Sequence, residues 1–213
     1  MTWSLNEIES LSRKAARGAG YSWGLAEDVG KAVRWLEART LPGAAALVTH
    51  LTAGDGQDLA PQTPRIAPDG WTAPGDVICP ILAGTMLADG MTAGQSTPLT
   101  LSNLRSPVLL LPFLAWMAEA QDRTVGLQLA GTALTVSASG DLTASAPIPA
   151  PEMASLTLRF GAVAEGLTPP EDLRSRCSDE TVNALSAFAA HTYAPATEES
   201  RLAGAGAGLS DND

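Results

Sequence analysis

The sequence predicts an α+β fold: N-terminal helices, a central antiparallel β-meander, then a C-terminal helix and a glycine-rich tail. Three observations predict it. Apolar residues recur at helical spacing from Leu5 to Leu51. From Arg123 onward they alternate with polar or small residues between glycine turns. Helical spacing then returns after Ser178. The chain has 213 residues, 45% of them hydrophobic and 17% charged. That length suits one core, and that balance excludes a disordered chain, which needs low hydrophobicity and high charge. The expectation is one domain over 1–213. It divides into a helical segment 1–52, a long Pro/Gly loop 53–76, a β-rich core 77–161, and a helix with a tail over 162–213.

Ser4 and Glu7 have the spacing of a capping box, in which each side chain satisfies the other's free backbone N–H. Leu5, Ile8, Leu11 and Ala15 follow on one face, and Gly18 and Gly20 stop that helix. Ser22 is placed to cap a second helix with Leu25, Val29, Ala32, Val33 and Leu36 on its stripe. Trp23 and Trp35 on that helix are expected in the core. Pro42-Gly43 breaks the chain, and Ala44 to Leu51 reads as a short third helix. Within the 53–76 loop, Trp71 is the candidate anchor onto the core.

Val77 to Leu82 reads as a buried strand. Val108 to Leu114 reads as a second, confined by Pro112 to an edge or bulge, with a helix from Trp116 to Gln121 as the alternative for its continuation. Val125, Leu127 and Leu129 alternate, Gly131 turns the chain, Leu134 and Val136 alternate, Gly140-Asp141 turns it again, and Leu142 opens a further strand. Leu156, Leu158 and Phe160 close an antiparallel meander with one wet face. Ser178 caps a last helix with Asp179-Glu180 in its first turn, Val182, Leu185 and Phe188 on its stripe, and Pro195 beyond its end.

The formal net charge is −10, and Lys14 and Lys31 are the only lysines. Nucleic acid and anionic membranes need clustered cations, so neither is an expected partner. The two cysteines, Cys79 and Cys177, have no metal-type spacing and read as reduced, buried thiols. The polar, acidic start Met1-Thr2-Trp3-Ser4-Leu5-Asn6-Glu7 lacks a leader pattern, and the Val108–Met117 apolar run is too short to span a bilayer. A cytoplasmic location is the expectation.

Walker, nucleophile-elbow and His-Glu-x-x-His signatures are absent. His50 and His191 are the only histidines, which excludes a three-histidine metal site. A nucleophile–base pair of Cys79 or Cys177 with His50 or His191 is open on paper, and nothing in the spacing supports it. The tail holds Gly204, Gly206 and Gly208 between Leu202 and Leu209, then Asp211-Asn212-Asp213. It reads either as a solvated end or as a segment docked beside a helix from 179 to 193. The closing oxygens are of the kind a hard cation takes, yet no metal and no cofactor is expected. Arg201 could grip a ligand carboxylate or pair internally with Glu198.

The stretches Lys14-Ala15-Ala16-Arg17-Gly18-Ala19-Gly20-Tyr21-Ser22-Trp23-Gly24-Leu25-Ala26-Glu27 and Ala203-Gly204-Ala205-Gly206-Ala207-Gly208-Leu209-Ser210-Asp211-Asn212-Asp213 resemble an uncharacterised proteobacterial family, a domain of unknown function. The resemblance implies a small stand-alone cytoplasmic protein and no particular activity. Residues 14–36 also resemble the N-terminal helices of type-2 malate/lactate dehydrogenases, without a counterpart of that family's catalytic region. The leading functional expectation is an accessory protein without catalytic activity that binds a small ligand or a partner chain, a second copy included. The alternative is a small metabolic enzyme with a site built from both ends of the chain: Tyr21, Trp23, Glu27, Tyr193, Glu198 and Arg201.

Overall fold

The computed structural model describes residues 2–67, 70–92, 94, 97–162 and 166–192. Strand β1 (Trp3–Ser4) leads directly into helix α1 (Leu5–Gly18). The reciprocal cap forms: Ser4 Oγ accepts from Glu7 N at 3.2 Å, and Glu7 Oε2 accepts from Ser4 N at 2.8 Å. Helix α2 (Trp23–Ala38) starts at Ser22, whose Oγ accepts from Leu25 N at 3.4 Å. The two helices cross closely because Gly30 has no side chain; a Cβ there would lie 2.9 Å from the Glu9 carbonyl oxygen.

Helix α3 (Gly43–Gly54) cannot be capped by the side chain of Pro42. Buried Glu37, at the end of α2, replaces it. Its Oε1 accepts from Ala44 N at 2.8 Å, and its Oε2 accepts from Ser175 Oγ at 2.6 Å. One carboxylate therefore joins α2, the start of α3 and strand β9 (Arg174–Ser175), which pairs antiparallel with β1.

The 53–76 segment is more structured than a loop. It holds a one-turn 3-10 helix (Ala60–Gln62) and an antiparallel hairpin of β2 (Arg65–Ala67) and β3 (Gly70–Thr72), pinned by Trp71, which is 1% exposed. Two expected strands are helices. Ile78 makes only an isolated bridge to Leu104, and α4 (Pro80–Ala88) begins where Val77–Leu82 was read as a strand. Val108–Leu114 falls in a 3-10 turn (Pro107–Leu110) and helix α5 (Leu111–Ala120). Pro80 and Pro112 stand in the first turn of their helices, where a missing N–H costs nothing. Both helices are apolar nearly all round, so no polar face reveals the helical period.

The remaining strands are β4 (Leu99–Arg105), β5 (Val125–Leu129), β6 (Thr132–Val136), β7 (Leu142–Ala144) and β8 (Met153–Phe160). The sheet order is β2-β3-β4-β8-β5-β6-β7. The β5-β6-β7 meander forms as expected, but β8 does not extend it. The segment with Pro147, Pro149 and Pro151 returns the chain so that β8 lies between β4 and β5, antiparallel to both. Trp71 pairs parallel with Leu101, so the sheet is mixed, where sequence periodicity predicts antiparallel pairing only. A wet face is evident in the Thr100–Thr157 hydroxyl contact of 3.0 Å.

Helix α6 (Asp179–Ala190) begins at Ser178, whose Oγ accepts from Thr181 N at 3.1 Å, and ends at Ala190, short of the expected 193. It packs on α1 at Gly18, where a Cβ would stand 1.8 Å from the Phe188 carbonyl oxygen. One contiguous apolar cluster runs from Ile8 through Leu101 and Leu134 to Leu185.

Trp23 is a correction to the expected core: it is 69% exposed, with the Arg17 guanidinium 4.9 Å from its ring centre. Trp35 is half-buried, under the Arg39 guanidinium at 3.9 Å. Both lie off the stripe of Val29, Val33 and Leu36, and a cation–π contact substitutes for burial. The tail from Tyr193 to Asp213, including Leu202, the glycine run and the closing acids, lies outside the described residues.

Candidate functional site

The interior holds one concentrated polar node. The α1–α2 connection turns Tyr21 inward, α3 presents His50 from its buried face, and Cys79 occupies the N-cap of α4. Tyr21 Oη lies 2.7 Å from His50 Nε2 and 3.3 Å from Cys79 Sγ; Cys79 Sγ lies 3.7 Å from His50 Nε2. Arg105 at the end of β4 is 9% exposed, and its Nη1 donates to Gln62 Oε1 at 3.2 Å. The backbone fixes this geometry: Cys79 N donates to Gln62 O, and Arg105 N donates to Ile78 O.

His50, Tyr21 and Cys79 stay neutral at the node. Burial, then the nearby Arg105 charge, holds the His50 imidazolium down to about 3. Burial pushes the Tyr21 hydroxyl up beyond any physiological range, and it raises the Cys79 thiol as well. A nucleophilic cysteine needs thiolate, a base and access. Here the thiol is fully buried and the imidazole is a poor base, so the contact is a neutral hydrogen-bond network.

A cavity of about 10 Å³ adjoins the node, lined by Tyr21, His50, Gly54, Gln57, Gln62 and Arg105 among others. That is room for about one water molecule. His50 Nδ1 is buried without a partner among the described residues.

A larger hollow lies at the surface. The α2–α3 corner (residues 39–42), residues 144–148 and residues 167–170 enclose about 560 Å³. Its walls are mostly apolar: Leu41, Pro42, Pro147, Ile148, Leu167 and Pro169. Leu167 is held by an antiparallel bridge to Ala144. Arg39 lines the hollow, stacked on Trp35, with Nη1 donating to the Trp35 carbonyl at 3.3 Å. It makes no ion pair among the described residues; Glu171 and Asp141 act on it from a greater distance. Desolvation lowers its pKa, yet a guanidinium stays charged. A second hollow of about 320 Å³ shares Thr40, Leu41 and Pro42 and adds Arg174, Arg176 and Cys177. Arg176 is already paired with Asp172 at 2.8 Å.

Residues 3–70 match the model of a family described as protein of unknown function, DUF3726. The matched residues include Tyr21, His50 and Gln62 of the node; Cys79 and Arg105 lie beyond them. A solved malate dehydrogenase from Entamoeba histolytica resembles 73% of this chain at 10% identity, with a TM-score of 0.41. The chain spans about half of that structure, 48%, and a likeness at this level carries no argument about fold or activity. No curated protein matches the sequence.

Of the six residues singled out by sequence, Tyr21 sits in the node, while Trp23 and Glu27 are exposed on α2; all three lie within the matched residues 3–70. Tyr193, Glu198 and Arg201 lie outside the described residues. Sequence reasoning missed the partners of Tyr21. His50 is 29 residues away and Cys79 is 58 residues away, and no motif links them. The Cys79–His50 contact was open on paper, and the fold brings it about. Among the described residues, no group of three His, Cys, Asp or Glu side chains is arranged to hold a metal, and no helix is long and apolar enough to cross a membrane.

Proposed function

We propose that this protein is a non-catalytic binder of a small organic molecule with an apolar body and one anionic group, seated in the groove at the α2–α3 corner. The observation behind the reading is Arg39. It is a half-buried cation with no ion-pair partner among the described residues, fixed by Trp35 at the edge of a proline-lined hollow of about 560 Å³. Ligand sites are typically apolar concavities of about 300–1,000 Å³ with a few placed polar groups. A planar guanidinium held in advance suits a carboxylate, which it grips with two parallel hydrogen bonds. The sealed Tyr21–His50–Cys79 node supports the non-catalytic half of the reading. The two free cysteines suit a reducing, cytoplasmic setting.

The test is a thermal-shift screen of carboxylic acids with aliphatic or aromatic bodies, on unaltered protein and on Arg39→Gln. Binding should stabilise the unaltered protein and weaken about 10- to 100-fold in the variant, as loss of a charged hydrogen bond does. Native-state thiol labelling should modify Cys177 first and leave Cys79 unmodified until unfolding. Ligands bound equally by Arg39→Gln, or none across the panel, would overturn the binding site. Turnover lost on Cys79 alkylation would overturn the absence of catalysis.

A further inference from the structure

We infer that the small cavity beside Arg105 is a buried binding site for a single monatomic anion of the chloride type. It is separate from the surface groove and does not depend on it.

Arg105 is a cation in the interior of a chain whose acidic residues outnumber its basic ones, 23 to 13. No carboxylate lies within ion-pair distance of it among the described residues. Among the described residues its side chain donates to the neutral Gln62 amide alone. A guanidinium carries five N–H donors, so most of its donor capacity is unspent. No nitrogen of this guanidinium is both buried and without a partner, so the donors not spent on Gln62 lie where solvent or a small anion reaches them.

The space next to it fits a small sphere. The cavity of about 10 Å³ lies among Arg105, His50, Tyr21, Gln57 and Gln62. That volume excludes a carboxylate or a phosphate. Gly54 lies against the guanidinium: a Cβ there would stand 3.1 Å from Arg105 Nη1, close enough to press on it.

A second donor is present. The Tyr21 hydroxyl keeps its proton and lies 2.7 Å from His50 Nε2. We assign it as the donor to Nε2, which places the proton of the neutral imidazole on Nδ1. Cys79 Sγ–H then donates to Tyr21 Oη at 3.3 Å. His50 Nδ1–H is left as a buried donor with no acceptor among the described residues. A strong cation, an idle N–H and a water-sized void lined by both residues form the donor set of a halide site.

The test compares melting temperature in sodium chloride and in sodium gluconate at matched ionic strength, since gluconate is too large to enter. Chloride should raise the melting temperature in proportion to the logarithm of its concentration above its Kd, by roughly 3–6 °C per tenfold increase. Bromide should substitute and give an anomalous peak beside Arg105 in crystals of the unaltered protein. Arg105→Gln should abolish the chloride dependence. Gly54→Ala, a smaller change that crowds the guanidinium, should weaken it and keeps the test decisive if Arg105→Gln fails to fold. Equal melting in chloride and gluconate, a chloride response unchanged in either variant, or water alone at the bromide position would each overturn the site.

Discussion

His50 shows how one buried side chain sets a pH response. In the unfolded chain its imidazole takes up a proton near 6.5; in the folded protein it does so only near 3. Between these values the unfolded state binds the extra proton, so stability is full above pH 6.5 and falls as pH drops toward 3. The slope from this residue is at most about 1.4 kcal/mol per pH unit. Tyr21 and Cys79 act on the alkaline side. Their raised pKa values mean that the unfolded chain loses those protons first, so stability declines again once thiols and phenols ionise. A melting-temperature profile should therefore be a dome. His50→Gln should flatten its acid limb between pH 6.5 and 4 while lowering its top. An acid limb of unchanged steepness in that window would rule out His50 as its source; Glu7 and Asp172, whose pKa values hydrogen bonds lower, act only below the ordinary carboxylate range. Little of this was legible in sequence. Tyr21 was singled out from its glycine-rich surroundings, but its environment comes from contacts 29 and 58 residues away.

Side-chain caps of the helices divide into those that sequence reveals and one that it hides. Ser4, Ser22 and Ser178 precede their helices by one residue, and all three cap as local spacing predicts. Helix α3 starts after a proline and takes its cap from Glu37, seven residues upstream and already inside α2. The same carboxylate accepts from Ser175, 138 residues along the chain. Glu37→Ala should thus remove an acceptor from two buried donors and cost about 2–4 kcal/mol, read as a lower urea midpoint at constant slope. Ser178→Ala, which loses one exposed local cap, should cost about 1 kcal/mol. A Glu37→Ala loss no larger than that of Ser178→Ala would mean that water replaces the carboxylate at the α3 terminus. Helices α4 and α5 were hidden for the opposite reason. They are buried on nearly every side, and an apolar run without a polar face reads equally well as a strand.

For the molecule as a whole, the class and the strand segments of the meander were legible, but the strand order was not. Alternation shows that β8 is a strand; it does not tell that the chain crosses back to seat it between β4 and β5. Net charge is a whole-molecule property that sequence gives directly. At −10, with two lysines, the protein should show no salt-sensitive micromolar binding to single- or double-stranded nucleic acid in a mobility-shift assay. Such binding at moderate salt would contradict the reading.

The seat of α1 between α2 and α6 has a consequence in time. Gly18 meets the Phe188 carbonyl, and Trp3 pairs with Ser175, so the first helix has early neighbours and a very late one. On a ribosome adding about 5–20 residues per second, Phe188 is made roughly 10–30 s after Gly18. Through that interval α1 can pack on α2 and α3, and the face destined for α6 stays wet. The small residues on that seam, Ala15 and Gly18 among them, leave little apolar surface for a nascent chain to expose while it waits.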